Sequence, residues 1–503
     1  MTNHLHDAMF GPRSASPAPF LLLPDGGTLT HEGFAELAAR QAAVLISAGV
    51  QKGDRVALQA AKTPEALAVY AACIRVGAVL LPLNTAYTPT ELAYFLGDAE
   101  PKLLICDPRS EAELAPIAET AGAQVLTLDS TGGGSFSARV AASAPHQTIA
   151  PCAPDDLAAI LYTSGTTGRS KGAMLSHDNL LSNARALADL WQFSDADTLI
   201  HALPIFHTHG LFVAINVSLL SGAAVRFFPK FDIDEIIAAI PGSTSLMGVP
   251  TFYTRLLDDP RLTRDLVASM RLFVSGSAPL LAATHEAFEA RTGHRILERY
   301  GMTETNMNAS NPYEGARIAG TVGQPLPGVE IRITEPGSDS VLGQGETGMI
   351  EVRGPNVFQG YWRMPEKTAE ELREDGFFLT GDLGLIDAAG YLHIVGRQKD
   401  LIIAGGYNIY PKEIEVLLDE MDGVAESAVI GVPHPDLGEA VVALVVAGDG
   451  TPPEPEALLA ALSSQLARFK HPRKLLLVDS LPRNTMGKVQ KNALRDSYAD
   501  CLG

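Results

Sequence analysis

At 503 residues the chain is longer than one hydrophobic core usually organises, so at least two domains are expected. Apolar residues make up 46% and charged residues 19%, a balance that excludes a mostly disordered chain. Acids outnumber bases 58 to 38, a net charge of −20, which argues against nucleic acid and anionic membrane as partners; an anionic small substrate would need a locally positive site.

The N-terminal third alternates between helical and strand periods. Helices are expected at 30–48, 64–76 and 89–97, and strands at 54–58, 78–83 and 102–106. Strand, helix, strand at this spacing means βαβ units and a mainly parallel sheet. Residues 130–137, STGGGSFS, read as a flexible loop. The α/β pattern returns with strands at 158–162 and 198–202, a helix from 211, and strands at 224–228, 245–248 and 272–275. From residue 320 Gly and Pro become dense. Alternating runs at 330–333, 347–353, 384–387 and 391–395 then predict an antiparallel subdomain. A compact α+β unit follows, with helices at 411–420 and 455–466 and strands at 425–432, 440–446 and 474–478. The fold class is therefore α/β. A large N-terminal domain, 1–398, combines parallel-sheet α/β layers with a β-rich subdomain, and a small α+β C-terminal domain spans 399–503.

Cys73, Cys106, Cys152 and Cys501 lie far apart without a CxxC, which indicates neither a zinc site nor a disulfide framework and fits a reducing cytoplasm. Residues 1–13 lack the basic, then apolar, pattern of a signal peptide. The longest run without Asp, Glu, Lys or Arg, 198–225, has its best apolar part at 211–220. That is too short for the ~20 residues of a spanning helix and reads as buried core.

The strongest chemical signal is YTSGTTGRSKG at 162–172. A strand runs into Thr163, Ser164, Gly165, Thr166, Thr167 and Gly168, followed by Arg169 and Lys171. Glycines let backbone N–H groups converge, hydroxyls add donors and two cations follow, a composition suited to phosphate. A Walker A loop is excluded, because Ser170 stands where Gly must precede Lys.

This run resembles the signature loop of the adenylate-forming superfamily, which includes acyl-CoA synthetases. Further motifs match in order: YGMTE at 300–304, TGD at 380–382, GRQKD at 396–400, GGYNIYPKEIE at 405–415 and PRNTMGK at 482–488. The resemblance implies ATP, Mg²⁺ and coenzyme A as small-molecule partners. It implies that residues 163–171 hold the β- and γ-phosphates, that Glu304 binds Mg²⁺ and that Thr303 sits at the α-phosphate. Asp382 and Arg397 would contact the ribose. Gly276, Ser277, Ala278 and Pro279 would line the adenine pocket with Glu298, Arg299 and Tyr300. Lys488 would bridge the acyl carboxylate and the α-phosphate. The small domain would rotate about Lys399, so that Gly405, Gly406 and Tyr407 line a pantetheine tunnel.

The acid is set by segments outside these motifs. HALPIFHTHGLF at 201–212 places His207 where the family has an aromatic gate, with Thr208 and His209 beside it. A His-x-His metal site is the other reading, and no third ligand is apparent. GVPTFYTR at 248–255 puts Arg255 in a segment that lines the acyl pocket in the family. A second substrate carboxylate would pair with it, whereas helix periodicity alone makes it a surface arginine near Asp258 and Asp259. Met307 would cap a short cavity, with Ser277 and Arg299 as further candidates for holding the acid. These segments together look most like malonyl-CoA synthetases, so the expected activity is AMP-forming ligation of malonate or methylmalonate to CoA. A short monocarboxylate or aryl acid, loading of a carrier protein, and adenylate sensing remain as alternatives. The absence of a carrier segment after residue 488 favours free CoA.

Overall fold

The computed structural model describes residues 2–163, 170–404, 407–435, 437–448, 452–484 and 487–502. Two sheets form the frame of the large unit. In one, strands Gln124–Thr127, Leu103–Cys106, Arg55–Gln59, Val79–Pro82 and Leu157–Thr163 run parallel, and Lys171–Ser176 closes the edge antiparallel. In the other, six parallel strands, Leu297–Met302, Leu272–Ser275, Ser245–Gly248, Thr198–His201, Ala224–Phe227 and Pro19–Leu22, lie side by side with short antiparallel strands at both edges. These strands are mostly apolar, as expected of parallel sheets covered on both faces.

Helices are set by ordinary end signals. Thr63 accepts from the Ala66 N–H, Pro64 occupies the first turn, and Gly77 closes the C-terminus at φ 73°. Several helices escape the sequence reading, two of them long. His177–Leu190 begins at a capping box between Ser176 and Asn179, and Ala282–Thr292 shows little amphipathic contrast. The helix expected from 211 begins instead at His209, as a π-helical segment to Ile215. Such segments are rare and concentrate at functional sites. Here a Cβ on Gly210 would fall 2.0 Å from the Pro204 carbonyl oxygen, so only glycine lets the chain pass. The run 130–137 is not simply a loop. Gly134 sits at φ 115° against the Thr127 carbonyl, and Ser135 starts a helix to Ala142.

Four antiparallel strands, Glu330–Thr334, Gly348–Arg353, Phe378–Ile386 and Leu392–Arg397, make the β-rich subdomain. From Ile402 onward a separate five-stranded sheet carries its own apolar clusters, built around Ile402, Ile414 and Leu462 on one face and Ile430, Leu444 and Leu481 on the other. Among the described residues no helix is long and apolar enough to cross a membrane. The carboxyl ends of the parallel strands, the lip of the β-rich sheet and the 484–490 segment of the C-terminal unit converge on one cavity, the position expected for a ligand in open α/β sheets.

Candidate active site

The cavity has a volume of about 730 Å³. Thr163, Lys171, His207, Thr208, Ser277, Arg299, Thr303, Glu304, Met307, Arg397, Lys399 and Lys488 all line it. The sequence motifs, up to 325 residues apart, are thus brought to one wall. Ser164, Gly165, Thr166, Thr167, Gly168, Gly405 and Gly406 lie outside the described residues.

At the phosphate end, Lys171 leaves the edge strand and its ammonium contacts both carboxylate oxygens of Glu371, at 3.0 and 3.2 Å. It also stands 4.1 Å from the centroid of the Tyr361 ring. The Tyr361 hydroxyl donates to Glu371 at 2.6 Å and lies 3.1 Å from Glu304 Oε1. Burial pushes the Glu304 carboxyl up from its ordinary value. A carboxylate so placed, with the Thr163 hydroxyl 3.4 Å away, offers the hard oxygen donors that Mg²⁺ prefers, and a bound cation would restore its ionisation.

A second cluster joins the two domains. Asp382 and Arg397 are cross-strand partners, and the Arg397 Nε lies 2.7 Å from Asp382 Oδ1. The Tyr300 hydroxyl donates to Asp382 Oδ2 at 2.6 Å. Lys399 sits in the single 3₁₀ turn Gln398–Asp400 that leads into the C-terminal unit. The Lys488 N–H donates to Asn484 Oδ1. Burial, with repulsion from Arg397, brings the Lys488 ammonium down to about 8.

The remaining wall carries a buried cation. Arg299 is 4% exposed, and its Nε and Nη2 have no hydrogen-bond partner among the described residues. Its guanidinium lies across Gly276, where a Cβ would come within 2.4 Å of Cζ. Burial lowers it to about 9, so it remains a cation at neutral pH. Around it stand Ser277, held at φ 72°, and His209, whose Nδ1 is 3.2 Å from the Ser277 hydroxyl. His207 accepts the His209 N–H at Nδ1, which leaves Nε2 carrying the proton of the neutral ring. Burial and the charges of Arg299 and Lys488 bring His207 down to about 4, so it stays neutral. Among the described residues no group of three His, Cys, Asp or Glu side chains able to hold a metal occurs. Met307 is buried and its terminal methyl packs over Gly301, shortening the cavity.

Several sequence expectations are corrected. Arg255 does not line the cavity: the helix Pro250–Asp258 buries Phe252, Tyr253 and Leu256, which leaves Arg255 on the opposite, exposed face over the Phe231 ring. Glu298 and Tyr300 do not line it either, because strand alternation turns them away from the face of Arg299. Glu298 is buried among backbone groups and its carboxyl is raised to about 8. Gly276, Ala278 and Pro279 are not among the residues that line this cavity, and Pro279 is exposed. Tyr407, expected at a CoA tunnel only after rotation about Lys399, is exposed in this orientation and stacks on Phe469. Tyr361, Lys367 and Glu371 are wall residues that the sequence reading missed. The GYW at 360–362 was the available signal for Tyr361, and its spacing to Glu371 marks nothing by itself.

The family model described as AMP-binding enzyme matches residues 13–362, and the AMP-binding enzyme C-terminal domain matches residues 413–488. The malonate–CoA ligase of Arabidopsis thaliana is 37% identical over 89% of this chain and 79% of its own length. The feruloyl-CoA synthase of an Amycolatopsis species is also 37% identical, over 94% of this chain and 95% of its own. ATP-bound MatB from Rhodopseudomonas palustris, 56% identical, superimposes with a TM-score of 0.96 over 99% of this chain and 100% of that chain. The apo form of the same protein gives 0.87, with both chains fully covered.

A buried guanidinium with partnerless nitrogens is expected to take up an anion. A short dicarboxylate should therefore raise the Tm of the protein, by ~2.7 kcal/mol of stabilisation at a hundred times its Kd. A monocarboxylate of the same length should not, and Gly276→Ala, which displaces Arg299, should abolish the shift. Equal shifts with both acids would contradict this placement.

Proposed function

The chain belongs to the AMP-binding enzyme family and is an ATP-dependent, AMP-forming acid–CoA ligase, and on that premise we propose malonate, or methylmalonate, as its acid. The observation that carries the choice is Arg299. An isolated buried charge costs several kcal/mol, and the distal carboxylate of a short diacid offsets this through charge-assisted hydrogen bonds. Met307 lines the cavity and packs over Gly301, and an aryl or alkyl tail would leave the guanidinium stranded. The malonate–CoA ligase among the relatives supports the same reading.

In the first step an oxygen of the proximal carboxylate attacks the α-phosphorus of ATP, the bond to pyrophosphate breaks, and the acyl-adenylate forms. Two anions must meet, so catalysis consists of positioning and charge. Arg299 with Ser277 and neutral His207 orients the acid. Lys488 stands on the attacking side, Thr303 beside the α-phosphate, and Asp382 with Arg397 at the ribose. Lys171 belongs to the departing pyrophosphate. Mg²⁺, held by Glu304, would neutralise phosphate charge. In the second step the CoA thiol, losing its proton, attacks the acyl carbonyl and AMP leaves. The closer fit to the ATP-bound relative than to its apo form supports an adenylating orientation here, in which Lys488 reaches the cavity. Rotation about Lys399 would withdraw Lys488 and bring the 405–407 segment to the site. The four free thiols support a cytoplasmic setting.

Arg299→Leu should lower kcat/KM for malonate by at least about 10², from ~3 kcal/mol lost at the transition state, while Arg255→Leu should leave it within about twofold. AMP release measured for both variants decides. The reverse pattern would return the distal carboxylate to the helix that carries Arg255.

A further inference from the structure

Glu371 has a place in the cavity that the adenylation chemistry does not require. It ends the short helix Pro365–Glu371, with its side chain 21% exposed. Its carboxylate accepts from Lys171 at 3.0 and 3.2 Å, from the Tyr361 hydroxyl at 2.6 Å, and pairs with Lys367 at 3.0 Å. Two ammonium groups and a phenol, converging on one oxyanion from separate elements, are a ready-made phosphate cradle. The cradle is filled by the protein's own carboxylate. Lys171 is the cation that serves the phosphates in the reading above, and it cannot donate fully to Glu371 and to a phosphate oxygen at once.

We propose that Glu371 is a positioning residue that competes with the pyrophosphate half of ATP for Lys171, Lys367 and Tyr361, and so promotes pyrophosphate release. This inference rests on the cavity being the ATP site. Before nucleotide binds, the carboxylate keeps Lys171 folded over the Tyr361 ring, ready for the incoming phosphates. When ATP enters, phosphate oxygens displace it. After the P–O bond breaks, Glu371 recaptures the ammonium groups, so the leaving group faces a rival of like charge in its own cradle. A short carboxylate-bearing helix on the surface lip suits this role, because it can yield without disturbing the core sheets. Glu304 is a different case: it is fully enclosed and shares only the Tyr361 hydroxyl.

The test is Glu371→Gln, which keeps size and hydrogen bonding and removes the charge. Pyrophosphate binding is read by calorimetry in the presence of MgCl₂, and KM for ATP and for malonate by AMP release. Loss of one charge-assisted competitor should tighten pyrophosphate by about tenfold and lower KM for ATP, with KM for malonate unchanged. Glu371→Asp, which withdraws the charge by one methylene, should move both constants the same way by less, and serves if the glutamine variant does not fold. Unchanged or weaker pyrophosphate binding in the folded variants would overturn the proposal and leave Glu371 as a scaffold for Lys171. A wild-type protein that binds neither ATP nor pyrophosphate would instead overturn the reading of the cavity itself.

Discussion

One unpaired positive charge organises the acyl end of this protein. Arg299 is held inside the wall with two nitrogens unpartnered. Keeping it there requires a glycine behind it, since any Cβ at residue 276 would occupy its place. It also needs Ser277 in a left-handed conformation that turns the hydroxyl toward His209. Backbone strain at Ser277, a π-helical segment at His209 and an uncompensated guanidinium all cost folding free energy and sit within one wall. Their common purpose is a site that is satisfied only by an anion.

The rest of the cavity follows from a related electrostatic constraint. A chain with net charge −20 must gather phosphate, carboxylate and CoA, all anionic, into one place. It does so by drawing Lys171, Arg299, Arg397, Lys399 and Lys488 from four separate segments. Crowding them has consequences that differ by partner. Arg397 is balanced by Asp382 and Lys171 by Glu371, whereas Lys488 is partly buried beside Arg397 and has its ammonium lowered. The balanced cations are positioned before substrate arrives. The unbalanced ones gain most from its arrival, which is where binding free energy turns into orientation.

Part of this cavity was legible in the sequence because Thr163, Lys171, Thr303, Glu304, Arg397 and Lys488, which line it, reside in contiguous motifs. Strand residues were legible as well: apolar runs bounded by Gly and Pro marked most strands of the parallel core from Val79–Pro82 to Leu272–Ser275, though not Gln124–Thr127. The acyl end was not, because it depends on which way single side chains face. Arg255 and Arg299 are both arginines in pocket-forming segments. Only the buried positions 252, 253 and 256 of one helix and the alternation of one strand separate them. The Lys171–Glu371 pair spans 200 residues and two elements, and no local pattern announces it. The helix at Ala282–Thr292 was missed for a related reason, since it lacks the amphipathic contrast that periodicity detects.

The central claim is that a charge, and not merely a polar or bulky group, is read at the far end of the acid. Malonate and its monomethyl ester share the reacting carboxylate and the carbon skeleton, and differ in whether the distal end is an anion. The direct measurement is kcat/KM for AMP release with each. A site built on Arg299 should reject the ester by about 10³ or more, since sites that bond a polar substrate group reject analogues lacking it by ~10⁴–10⁵. Values within about tenfold of each other would mean that Arg299 does not recognise the acid.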